Sequence, residues 1–491
     1  MEVMKKIFFV FHGKIVRIFN MQLKQFTINF QELAQDVFLR NDEKYHVFLN
    51  FSNWNLFESK CEKMIPLKDI LVDNYEAFNY VDDEEYKGIP TGQSYLDEDG
   101  EIKDFQPITS EDHPGRLKYK VTNESILLSS LRLAKSPALC IENDDLSSYV
   151  FSNGFYIYKV REGWNKKFIL YILRTKKLKS ILDNNIYRGI GISAYKEDDL
   201  KKIKIPLLSK TEQDKIVSQI EPIEKKIKEL KNQITPVQEV INKVFAREFG
   251  FDLKKFEELK KIKNYYLELS SFANNRDIRQ SVKFHREAGI FIIEQLEKIT
   301  NKKIKHFISE PIVLGKSVSP SDYDDNGDYF YVSMANIKNW KFESDDAKLI
   351  SKEYSRQNEN KTVAKGDILI ARSGEGTIGK VALIDDDELQ GVFADFTMRI
   401  RLKNYNPLFA YYYFRTEYFQ YLIEVNKKGL GNNTNIFPSQ IQELPMIDIS
   451  LEKQQKIVDE IKAKLDKQEE MKEKIESERN KIDEIIEKAI K

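Results

Sequence analysis

Cysteine is almost missing from this chain: Cys61 and Cys140 are the two in 491 residues, far apart and outside any CxxC pair. That excludes a disulfide or zinc framework and makes a reducing, cytoplasmic setting the expected one. Long apolar runs are missing too. No stretch reaches the roughly 20 apolar residues that a membrane span needs, so no membrane partner is expected. The apolar block from Lys5 to Gly13 is too short for a signal peptide; it is either a first strand or sequence upstream of a start near Met21. Histidine is scarce, and His12, His46, His113, His285 and His306 show no metal-ligand spacing, so no metal site is expected. A charge excess of either sign is absent, with 78 acidic and 78 basic side chains. Nucleic-acid binders usually carry a basic excess, so the balance counts against that class for the chain as a whole and leaves only local basic faces. The segment from Arg174 to Lys204 is basic, whereas Asp69 to Asp112 is acidic.

What the chain does have is a duplication. Leu39 to His46 (Leu-Arg-Asn-Asp-Glu-Lys-Tyr-His) returns as Ile278 to His285 (Ile-Arg-Gln-Ser-Val-Lys-Phe-His). Arg174-Thr175 returns as Arg415-Thr416, and Gly189-Ile-Gly191 as Gly429-Leu-Gly431. Ile205-Pro206 and Glu212-Gln-Asp-Lys-Ile-Val217 become Leu444-Pro445 and Lys453-Gln-Gln-Lys-Ile-Val458, at a nearly constant shift of 239–241 positions. A length of 491 residues fits two or more domains.

Each copy reads as an α+β globule followed by a long helix. In the first, short β-rich runs such as Ile126-Leu-Leu128 and Phe155 to Tyr158 alternate with turns, and Lys167 to Leu182 reads as a helix. In the second, strands are predicted at Tyr329–Ser333, Asp367–Ala371, Lys380–Ile384 and Phe396–Leu402, with a helix from Pro407 to Val425. Phe396, Met398 and Ile400 alternate with Thr397, Arg399 and Arg401, a period of two that predicts one buried face and two arginines on the other.

After the first globule, Ile216, Ile220, Ile223, Ile227, Leu230, Ile234, Val237, Ile241 and Val244 step by four and three without a break. That is a coiled-coil seam. Shifted by 241, it becomes Ile457, Ile461, Lys464, Gln468, Met471, Ile475, Glu478, Ile482 and Ile485, in register but more polar. The two helices are expected to pack on each other, and Pro222 and Pro236 are each expected to kink the first. At about 1.5 Å per residue, helices of roughly 37 residues are about 55 Å long, more than one turn of B-DNA, about 34–36 Å.

The stretch Gly374-Glu-Gly-Thr-Ile-Gly379-Lys380 matches GxGxxG, and matches GxxxxGK up to the last position. A dinucleotide fingerprint must open a helix, whereas Val381 to Ile384 read as a strand. A P-loop needs Ser or Thr where this chain has Val381. A glycine-rich hairpin fits better. Asn406-Pro407 reads as a helix cap with proline at the first position. His46 and His285 occupy equivalent repeat positions, where a structural role competes with DNA contact. No catalytic constellation emerges, so the chain reads as a binder. Arg and Lys suit phosphates and guanine, and Asn and Gln suit adenine. By type and by pairing across the copies, the binding candidates are Arg132, Lys135 and Arg188 in the first and Arg372, Thr377, Lys380, Arg399, Arg401, Lys427, Lys428, Asn432 and Asn433 in the second.

This order resembles the specificity subunit of type I restriction-modification systems. The residues that carry the resemblance are Lys365-Gly-Asp-Ile-Leu-Ile-Ala-Arg-Ser-Gly374 with Ile378-Gly-Lys-Val-Ala382, the steps at Pro206 and Pro445, and the Gln-x-Lys-Ile-Val helix starts at Gln213 and Gln454. The resemblance implies two target-recognition globules, each reading one part of a split DNA sequence, and two helices pairing as an antiparallel coiled coil. It also implies double-stranded DNA, two methyltransferase subunits and restriction-translocase subunits as partners. S-adenosylmethionine, ATP and magnesium would then belong to those partners, and this chain would be non-catalytic and bind no cofactor. The expected layout is an extension at 1–30, globules at 31–208 and 301–448, helices at 209–246 and 449–491, and a connecting helical region at 247–300. Two alternatives stay open: a coiled-coil protein-binding scaffold, and a nucleotide-binding enzyme using the Gly374–Lys380 loop.

Overall fold

The computed structural model describes residues 54–57, 63–91, 95–97, 99–131, 138–141, 145–183, 194–262, 264–268, 270, 281–344, 347–374, 376–429 and 434–490. They fall into two compact units: the described residues of Met1–Lys228 together with Glu476–Lys491, and those of Glu229–Ile475. Each unit thus takes in a stretch of helix from beyond its own globule, an exchange that a linear division of the chain does not show. No helix among the described residues is long and apolar enough to cross a membrane.

The first unit holds nine principal strands: β1 (Leu71–Asp73), β2 (Glu76–Ala77), β3 (Glu85–Ile89), β4 (Gln106–Thr109), β5 (Leu117–Lys120), β6 (Ile126–Ser129), β7 (Ala138–Leu139), β8 (Tyr149–Ser152) and β9 (Phe155–Val160). They form a four-stranded sheet in the order β1-β9-β6-β7 and a five-stranded sheet in the order β2-β5-β8-β3-β4. Strand β6 explains why the sequence carries an unbroken Ile126-Leu-Leu128. Ile126 and Leu128 enter the core under the helices, while Leu127 enters a second core with Ile89, Phe151 and Ile157. A strand covered on both faces has no need for polar alternation.

The second unit repeats this plan with β10 (Val313–Leu314), β11 (Tyr329–Val332), β12 (Leu349–Ile350), β13 (Ile368–Ala371), β14 (Val381–Leu383), β15 (Gly391–Phe393) and β16 (Thr397–Ile400). Its four-stranded sheet runs β10-β16-β13-β14, and β12-β11-β15 form a second sheet of three. Ile368 and Ile370 face one core and Leu369 another, as in β6. Each unit also pairs two of these strands in parallel, β3 with β8 and β11 with β15. The four-stranded frame is therefore shared, and among the described residues the units differ beyond it: a second sheet of five strands in the first, against a sheet of three and a separate hairpin (Ile337–Lys338 with Lys341–Phe342) in the second.

The predicted helices at 167–182 and 407–425 are each broken in two: α1 (Lys166–Arg174) and α2 (Lys176–Ile181), then α7 (Pro407–Arg415) and α8 (Glu417–Asn426). Thr175 and Thr416 sit at the breaks in extended conformation, and each hydroxyl accepts an N–H of the helix that follows. A capping side chain ends one helix and starts the next. Apolar periodicity runs through such a break and cannot reveal it.

The first seam helix is α3 (Lys210–Lys231), followed by α4 (Val237–Phe249). Pro222 stays inside α3, and the chain leaves the helix before Pro236, which then opens α4. Helices α5 (Leu253–Lys260) and α6 (Glu287–Glu297) follow, and α9 (Leu451–Ile490) closes the chain as 40 residues of uninterrupted helix. In the first unit, Ile216, Val217 and Ile220 of α3 share a core with Ile486 and Ile490 of α9, and Lys226 bonds Glu478 at 2.6 Å. Position rises along one helix as it falls along the other, so within this unit they run antiparallel. In the second unit, Ile241, Val244 and Phe245 of α4 share a core with Ile457, Val458 and Ile461 of α9. The seam departs from expectation at Ile234, which lies in the break between α3 and α4, at Lys464, which is exposed with Leu465 packed in its place, and at Ile485, where its neighbour Ile486 is the fully buried residue. The ends of the pairs serve the globules as caps. Asn242 Oδ1 accepts the Glu417 N–H at 2.9 Å at the start of α8, and Asp483, its counterpart 241 positions on, accepts from the Lys176 main chain at the start of α2.

Candidate nucleic-acid interface

The glycine-rich stretch of the second unit is a hairpin between β13 and β14, paired Ile370 to Val381. Gly374, Gly376 and Gly379 all have positive φ, between 75° and 91°, which a side chain would strain. A Cβ at Gly379 would also meet Gln420 Oε1 and Ile423 Cγ2 at 2.9 Å. The turn is thus pressed onto α8, where Gln420 Nε2 donates to the Gly379 carbonyl at 2.8 Å. Thr377 spends its hydroxyl inside the turn, donating towards the Ser373 and Gly374 carbonyls. The residues after Gly379 form a strand, so no helix N-terminus faces a phosphate, and the nucleotide-binding alternative loses its physical basis.

Arg372 lies where three segments meet. Its N–H donates to the Phe396 carbonyl at 3.0 Å, and its own carbonyl accepts the Ile436 N–H at 2.9 Å. One residue on, Ser373 bridges Asn435, which in turn exchanges both main-chain bonds with Lys428 at 2.7 Å. The Arg372 guanidinium lies over the Phe396 ring, 5.9 Å from its centre. Phe396 is 51% exposed.

That exposure corrects the two-face expectation for β16. Phe396 was expected inside and stands out; Arg399 was expected outside and is 4% exposed. Arg399 packs over Phe393, donates to the Thr362 and Asn360 carbonyls and pairs with Glu310. The strand is central in its sheet, and the segments carrying Glu310 and Asn360–Thr362 cover its second face. Arg401 makes a two-pronged pair with the buried Asp367, 2.7 Å at each oxygen. This partner, more than any other influence, raises the Arg401 pKa. Both arginines hold the fold together and are not free to grip a phosphate. Lys427 is similarly committed, to Glu424 at 2.6 Å. Lys380 has no acidic partner among the described residues, and Lys428 is exposed. Arg132, Lys135, Arg188, Asn432 and Asn433 lie outside the described residues, as does His46. His285 is buried at the edge of Phe284.

In the first unit, lysines of the five-stranded sheet lie over aromatic rings. The Lys87 ammonium lies 5.4 Å from the centre of the Phe105 ring and 4.9 Å from that of Tyr149. Lys118 stands over Tyr119 at 5.3 Å. The strands involved are short, and Phe105 lies outside them in a loop, so no periodicity marks this group. No cluster of three or more His, Cys, Asp or Glu side chains among the described residues is arranged to hold a metal ion.

Two α+β units built on one four-stranded frame, each packed against paired helix, define a protein with a duplicated domain. The chain belongs to the family of the type I restriction modification DNA specificity domain, whose model matches residues 51–237 and again 308–479. It is a specificity subunit carrying that domain twice. No curated protein sequence matches it. Among solved structures, it is similar to a chain from a study of complex assembly and conformational transition of the type I R-M system, at 14% identity over 87% of this chain and 97% of that one, TM-score 0.43. It is also similar to the HsdS subunit from Thermoanaerobacter tengcongensis (15% identity, 87% and 96% covered, TM-score 0.31). A third is the type I restriction-modification S subunit from M. genitalium (12% identity, 88% and 97% covered, TM-score 0.38). The family match, and not these distant superpositions, carries the assignment.

Proposed function

We propose that this chain reads a bipartite, asymmetric DNA target, one block per unit, and docks methyltransferase subunits that modify it. The observation that supports this best is the repeated four-stranded frame bearing two different second sheets, five strands in one unit and three in the other. A shared frame with different outer strands suits two different base readouts. The paired helices, in this proposal an antiparallel coiled coil, set the gap between the blocks and present the surface on which two methyltransferase subunits assemble. Restriction-translocase subunits join outside them. The chain itself is non-catalytic; S-adenosylmethionine, ATP and magnesium belong to the partners. With 78 charges of each sign, affinity for DNA alone is modest, and the partners complete the grip.

Selection of bound sequences from a random DNA pool by the chain assembled with its methyltransferase subunits tests this directly. Two short, unlike blocks at a constant gap are expected. One contiguous site, or binding that ignores both sequence and salt, would leave the protein-binding scaffold as the better account.

A further inference from the structure

Three of the candidate cations around the second unit's hairpin are already occupied. Arg399 and Arg401 share Glu310, Arg401 also holds Asp367, and Lys427 is paired with Glu424. Arg372 is different. Among the described residues no acid pairs with it, and its Nε is covered and without a hydrogen-bond partner. The guanidinium instead lies over an aromatic ring that is itself 51% exposed. Its main chain is clamped on both sides, by Phe396 and by Ile436.

This arrangement narrows the directions open to a planar donor. A flexible cation is enough to hold a phosphate, which carries no sequence information. A guanidinium beside a ring, on a main chain clamped at both sides, loses less freedom on binding than a solvated one, and its donors are coplanar. Guanine presents a matching pair of acceptors, O6 and N7, in the major groove, and a thymine presents its 5-methyl to apolar side chains such as Phe. We propose that Arg372 and Phe396 together read one base step in the block taken by the second unit, Arg372 a guanine and Phe396 the methyl of an adjoining thymine. This rests on the DNA-reading function proposed above and adds the residues and the bases.

The test uses the full chain assembled with its methyltransferase subunits. Sequence preference is compared among the unaltered protein, Arg372→Ala, Arg372→Lys and Phe396→Ala. At the guanine, discrimination should fall about tenfold or more in Arg372→Ala and stay low in Arg372→Lys, while the other block is unaffected. Replacing the preferred thymine by uracil removes only the methyl group. It should weaken binding by the unaltered protein several-fold and add nothing in Phe396→Ala. Because the uracil arm works on unaltered protein, it holds even if a variant folds poorly. Equal weakening of Arg372→Ala on every sequence, with a shallower salt dependence, would make Arg372 a phosphate contact and overturn the proposal. So would two clear blocks that neither the variants nor uracil disturb. An unaltered complex with no sequence preference would overturn the parent function as well.

Discussion

The side-chain oxygen of Gln454, at the start of α9, accepts the main-chain N–H of Asn406 at 2.8 Å, and its amide donates to the Ile449 carbonyl at 2.9 Å. The first unit makes the same pair of bonds 241 positions earlier, Gln213 to Asn165 at 2.7 Å and to Leu208 at 2.9 Å. Both glutamines are 1% exposed. The repeated Gln-x-Lys-Ile-Val therefore marks a joint between globule and helix. Gln454→Ala strands a partly buried donor and a partly buried acceptor and should cost about 1–3 kcal/mol, read from urea unfolding. Gln213→Ala should cost about the same.

The last turns of α9 belong to the core of the first unit. Ile486 is fully buried there beside Ile220. Ile486→Ala should destabilise that unit by about 2–5 kcal/mol. A chain ending at Ile475 should melt in two steps, the earlier one from the first unit. Unchanged unfolding of the shortened chain would disprove the exchange.

Arg401→Ala leaves the Asp367 carboxylate, 1% exposed, without its cation. Since Arg401 is a third exposed, a loss of about 3 kcal/mol is expected, at the lower end for a broken buried pair. Adding Asp367→Asn should restore part of it. The expected signature is a lower melting temperature with unchanged DNA sequence preference, which separates this arginine from Arg372.

Lys303 and Lys305 hold Glu443 between them at 2.7 and 2.6 Å and push its pKa down to about 2. A depressed carboxylate contributes stability above its unfolded pKa, near 4.3, and loses it as pH falls towards 2. All three side chains are nearly half exposed, so the contribution is at most about 1 kcal/mol. The stability difference between the unaltered protein and Glu443→Gln should be present at pH 7 and vanish by about pH 2.

Much of this was legible in the sequence, because duplication doubles every signal. The repeat, the α+β class, the strand cores at Ile126 and Ile368 and the seam at Ile216 and Ile457 all follow from spacing and apolar pattern. The binding face was less so. Period-two alternation assigned Arg399 to the open side, but whether a second face is open depends on what folds over it, here segments 37 or more residues away in the chain. Phe396 was assigned to the core by the same rule and lies just before the strand begins. Residue type alone picked out Arg372 as a candidate, but nothing in the local pattern pointed to the Phe396 ring beside it. Thr175 and Thr416 broke helices whose apolar period continues unchanged across them.

Methylation mapping of a host genome with and without this gene, its methyltransferase partner kept, tests the central claim most directly. The account predicts that the gene adds one modified motif made of two unlike blocks with a constant gap. A contiguous motif, two alike blocks, or no gene-dependent motif would contradict it.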